Sequence, residues 1–164
     1  SLKTCDDVMS LSADTVRIYP TITLEGTYLG ELYKKGEYTP QSLENAVSLC
    51  ARLLYKFYKN NITVIRLGLH SGGNVEEGFL AGPYHQAFGE LCEGRIYRSL
   101  LQKKLCNQPK GDYVVFVNPR EISIMTGQKQ CNKQFFSQSG YCITVKSDES
   151  LSKYEIITEF KERS

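Results

Sequence analysis

The sequence has no tryptophan, only two histidines, and six cysteines so scattered that no two lie within four residues of each other. Zinc and iron–sulfur centres draw on closely spaced ligand pairs, so no metal site is expected from this chain alone. No apolar run approaches the roughly 20 residues that a membrane helix needs, which excludes a helical membrane anchor from this stretch. The opening residues, Ser1-Leu2-Lys3, hold neither a methionine nor the apolar run of a signal peptide, and the parent chain is expected to extend upstream. Low-complexity tracts are missing as well, so disorder is expected nowhere.

What is present suits an ordinary globular protein: 41% hydrophobic and 23% charged residues over 164 positions. A chain of that length buries roughly 70% of the surface its unfolded form exposes. Cys50 falls on the apolar face of a predicted helix, where a free thiol behaves as a small hydrophobe, and the cysteines are read as reduced in a cytoplasmic protein. The net charge of +2 is unevenly distributed: −2 over residues 1–92, +6 over 93–146 and −2 over 147–164. One contiguous basic segment is how an anionic partner would be met, although a solvated basic face is the more ordinary outcome.

Along the chain, residues 2–11 read as a helix. Residues 15–24 read as a strand, with Val16, Ile18, Ile22 and Leu24 alternating to one side and Pro20 marking an edge, bend or end. A short helix over 28–35 stops at Gly36. A longer one opens at Thr39-Pro40, with its apolar face on Leu43, Ala46, Val47, Cys50, Leu53, Leu54 and Phe57. Asn60-Asn61 turns the chain into residues 62–69, an apolar run typical of a buried parallel strand, which makes a strand–helix–strand crossover. A long glycine-rich stretch from His70 to Pro83 follows, then a helix over 88–105 and a linker at Gln108-Pro109-Lys110-Gly111. Beyond it lie a strand over 112–117, helices over 119–126 and 128–137, and strands over 141–146 and 154–160.

Two stretches resemble the radical S-adenosylmethionine (SAM) superfamily, in the branch of the Elongator catalytic subunit and of bacterial proteins labelled oxygen-independent coproporphyrinogen oxidase-like. The first is Arg17-Ile18-Tyr19-Pro20-Thr21 with Gly26-Thr27, Leu29, Leu32 and Gly36-Glu37-Tyr38. The second is Val64-Ile65-Arg66-Leu67-Gly68-Leu69 with Ala81-Gly82-Pro83-Tyr84-His85 and Phe88-Gly89-Glu90-Leu91. The resemblance implies an α/β fold: residues 1–107 as the carboxyl-terminal remnant of a partial barrel, residues 110–164 as a small accessory domain. It also implies SAM and a four-iron four-sulfur cluster in the parent protein, an oxidoreductase or transferase. The three-cysteine motif that holds such a cluster is missing here, so this chain alone is expected to be inactive and to depend on an amino-terminal portion of the same protein.

On this reading Arg17, Tyr19, Pro20, Thr21 and Arg66 stand by the cofactor pocket, each arginine able to aim a guanidinium at a carboxylate or phosphate near the strand ends. The ordinary alternative is a surface arginine on the polar side of a strand. His85 and His70 are the catalytic candidates, the first in a flexible loop ahead of a helix and the second directly after a strand; no nearby carboxylate motif completes an acid–base pair. Residues 112–160 resemble a KH module, β-α-α-β-β, in which a loop between two helices clamps a nucleic-acid backbone, and Arg120, Lys129 and Lys133 would approach RNA phosphates. Gln130 stands where that loop carries its second glycine. An unpaired strand edge in a barrel remnant would also favour homo-oligomers.

Overall fold

In the computed structural model, which describes residues 2–11, 13–69 and 73–161 (73 and 74 by backbone alone), the chain divides into two compact units, Ser1–Cys92 and Glu93–Ser164. The fold is mixed α/β. No helix among the described residues is long and apolar enough to cross a membrane.

The first unit opens with α1 (Leu2–Ser10), which buries Cys5. Strand β1 (Thr15–Ile18) ends just before Pro20, as a residue without a backbone donor requires, and β2 (Thr23–Leu24) resumes in a different sheet. The alternation is not carried across the break: Thr23 is fully buried, whereas Ile22 and Leu24 are half-buried. Helix α2 (Tyr28–Lys34) is capped by Thr27, whose hydroxyl accepts the Gly30 N–H at 3.1 Å. Helix α3 (Leu43–Lys59) begins later than Thr39-Pro40, because Ser42 is the residue that caps it, accepting the Asn45 N–H at 3.2 Å. Its buried stripe of Ala46, Val47, Cys50, Leu53 and Phe57 is the predicted one.

Asn61, at φ 57°, turns the chain into β3 (Thr63–Leu67). Strands β1 and β3 pair in parallel as a two-stranded sheet, joined through α3. This strand is less buried than its composition suggests: Ile65 is 53% exposed. The glycine-rich stretch is not one long loop, since it holds α4 (Gly73–Glu77) and β4 (Phe79–Ala81), and β4 pairs antiparallel with β2. Helix α5 (Phe88–Leu105) runs from the first unit into the second.

In the second unit β5 (Gly111–Val117) is the central strand, with β6 (Tyr141–Ser147) parallel on one side and β7 (Ile157–Lys161) antiparallel on the other. A 3-10 turn (Pro119–Glu121) capped by Asn118 leads into α6 (Ile122–Thr126). The helix predicted over 128–137 is broken: Lys129 and Gln130 have positive φ, and α7 (Cys131–Gln138) starts only after them. Buried Asn132 ties the helices together. Its amide donates to the Gly94 and Met125 carbonyls at 2.9 and 3.0 Å, and its oxygen accepts from Arg98 Nε at 2.8 Å. The last strand begins at Ile157 and not at Tyr154, because Tyr154 takes φ 63° and its N–H is spent on the Tyr97 hydroxyl at 2.8 Å.

Candidate functional site

In an open α/β sheet, ligands meet the carboxyl ends of parallel strands. Here those ends are Ile18 of β1 and Leu67 of β3, held side by side by the Gly68 N–H donating to the Ile18 carbonyl at 3.0 Å. Tyr19-Pro20-Thr21 leaves the first end, with Tyr19 45% exposed, Pro20 buried and Thr21 exposed. Gly82, at φ 119°, lies against this turn so closely that a Cβ on it would stand 3.1 Å from Ile22 Cα and 3.3 Å from the Thr21 carbonyl oxygen. The β2–β4 pairing, Thr23 opposite Ala81, fixes the same approach. The two stretches that carry the sequence resemblance are therefore brought together, 60 residues apart in the chain.

Arg17 and Arg66 are direct partners across the β1–β3 register, and both are exposed. Val16, Arg17 and Ile18 of β1 and Tyr19 just after it line, with Cys5, Val8, Leu53 and Phe57, a groove of about 420 Å³ beside α1 and α3. Ile18 is buried there, whereas Arg17 and Arg66 are exposed to solvent. His85 is half-buried in the loop after Gly82, and its Nδ1 accepts the Ala87 N–H at 3.0 Å, leaving Nε2 for any further contact. Tyr84, its neighbour, donates to Glu76 Oε1 at 3.0 Å and leans on Phe79. His70 lies outside the described residues. In the second unit Lys129 is exposed in the left-handed turn and Lys133 half-buried on α7; Arg120 sits in a different connection, the 3-10 turn after β5.

A model of the radical SAM C-terminal domain matches residues 13–98, over half of the chain. The chain belongs to the radical SAM C-terminal domain family. Searches of curated proteins and of solved structures each give no match. Membership in the radical SAM superfamily carries SAM and a four-iron four-sulfur cluster into the parent protein. The residues present do not fit that cluster. Among the described residues no three His, Cys, Asp or Glu side chains converge to hold a metal, and all six cysteines are free thiols. Burial raises the Cys50 thiol to about 11, the reverse of what a thiolate ligand requires.

Two features of this chain escape sequence reading. The register shift between β1 and β3 leaves no local motif, so the pairing of Arg17 with Arg66 is visible only in space. The other is a buried polar cluster in the second unit, where Tyr97 and Tyr154 lie 5.4 Å apart and Lys153 bridges to Glu93 at 2.6 Å. Burial, aided by the charges of Glu93 and Glu121, pushes both phenols well above their ordinary range. These residues come from three separate segments, and no spacing rule connects the three.

Proposed function

We propose that this chain is the carboxyl-terminal part of a radical SAM iron–sulfur enzyme, in which it encloses the cofactor and substrate pocket while preceding polypeptide supplies the cluster-binding cysteines. One observation carries the reading. The β1–β3 sheet is parallel, joined through α3 and, among the described residues, only two strands wide, which supports a β/α unit that further strands would complete. On this reading Arg17, Tyr19, Pro20, Thr21 and Arg66 line the pocket wall, and His85 reaches it through Nε2. The finer placement near the Elongator catalytic subunit and coproporphyrinogen oxidase-like proteins rests on the two motif stretches, and porphyrin chemistry does not follow from it.

The test is iron and sulfide analysis after anaerobic reconstitution of the parent protein and of this chain side by side, followed by an assay for reductive SAM cleavage. The parent is expected to take up a four-iron cluster and release 5′-deoxyadenosine, and this chain alone to hold no stoichiometric iron. A cluster bound by this chain, or a reconstituted parent without one, overturns the reading.

A further inference from the structure

Strand β3 carries one more residue than β1 over the same length of ladder. Val16 stands opposite Val64, and the next residue of β1, Arg17, stands opposite Arg66, so Ile65 is the inserted residue. Without the insertion Arg66 would fall opposite buried Ile18, where an unpaired guanidinium is costly. The bulge instead sets Arg66 opposite Arg17, and both are exposed. Like charges directly opposite on neighbouring strands are destabilising. Among the described residues neither guanidinium has an ion-pair or hydrogen-bond partner. Two exposed arginines at paired strand positions, without a counter-charge among the described residues, offer a receptor for one anion.

We propose that Arg17 and Arg66 together bind a phosphomonoester, both guanidiniums donating to the same phosphoryl group. The charge count selects this class. A phosphomonoester carries about −1.5 to −2 and three strong acceptor oxygens, which matches two guanidiniums, whereas a carboxylate or a phosphodiester carries a single charge that one arginine satisfies. Arginine also suits the task better than lysine, because its planar fork meets oxyanions bidentately. The inference stands on the register of one strand pair in this chain and goes beyond the reading above, so it holds or fails whether or not the parent cleaves SAM.

The experiment is a titration of this chain with inorganic phosphate and with phenyl phosphate at fixed ionic strength, read from the assigned Nε–Hε resonances of its arginines. Both ligands are expected to shift Arg17 and Arg66 saturably and to raise the thermal midpoint. Acetate at the same concentration should do neither. Arg17→Gln and Arg66→Gln each remove a charge-assisted pair, so each should weaken binding by about tenfold or more. Arg52→Gln, on the exposed side of α3, should leave it unchanged. Because each glutamine also relieves a repulsion, both variants are expected to fold with an equal or higher midpoint that phosphate no longer raises. An oligonucleotide without a terminal phosphate should not displace phenyl phosphate. Equal, non-saturating shifts with acetate and phosphate, retention of binding in either glutamine variant, or displacement by the oligonucleotide overturns the proposal.

Discussion

In a helix interior, glycine costs about 1 kcal/mol relative to alanine, yet at Gly30 that preference should reverse. A Cβ there would stand 2.3 Å from the Leu24 carbonyl oxygen, a backbone atom that β2 holds in place. Gly30→Ala is expected to lower stability by roughly 1–3 kcal/mol, the usual cost of overpacking, as read from the denaturant midpoint. A raised midpoint would show that α2 moves off β2 freely. Ionisation behaviour is also set residue by residue. Burial lifts the Cys50 thiol from 9.0 to about 11, so above pH 9 the unfolded chain releases a proton that the folded chain keeps. The unfolded state then binds fewer protons, and stability falls as pH rises between about 9 and about 11. Tyr97 and Tyr154, shifted in the same direction by burial, extend the loss upward from the ordinary phenol range. Urea unfolding across this alkaline range checks it, and Cys50→Ala should flatten the early part of the decline. A pH-independent midpoint would remove burial as the cause.

At the scale of elements, caps and turns decide where helices begin. Thr39-Pro40 has the composition of a helix start, but the first turn forms only after Ser42, whose hydroxyl satisfies the Asn45 N–H. Ser42→Ala is expected to cost about 1 kcal/mol, and Thr39→Ala close to nothing, since only the former strands a backbone donor. Parallel thermal melts of the two variants distinguish them; a larger loss at Thr39 would move the cap. The same reasoning explains the break before α7. Lys129 and Gln130 sit at φ 51° and 59°, a region costly for residues with a Cβ, so the helix cannot continue back through them.

At the scale of the whole molecule, the β1–β3 sheet has, among the described residues, an unpaired edge on each strand, and Ile65 and Tyr19 are exposed beside it. Such edges favour pairing with another chain. Concentration-dependent self-association is the expected outcome in light scattering, and a strict monomer up to roughly 100 µM would argue that the two strands are already a finished edge. If preceding polypeptide supplies the neighbouring strand, the parent protein should show less self-association than this chain.

Local rules act within a few residues, and what they govern was legible in the sequence. The apolar stripe of α3 and the break at Pro20 follow from periodicity and turn chemistry, and the extent of α5 was also read from the sequence. The motif stretches around Arg17 and Gly82 also marked the family without any structure. Burial and register were decided elsewhere. Thr23 is buried while Ile65 is exposed because of which strands lie beside them, and those strands come from distant parts of the chain. Tyr154 leaves the strand for a left-handed turn because Tyr97, 57 residues away, takes its N–H. The arginine pair belongs to this second class: two strand residues ordinary on their own become a site only when a single inserted isoleucine shifts one strand past the other. Pairing energy depends on the neighbour as well as on the strand, and only the tertiary structure supplies the neighbour.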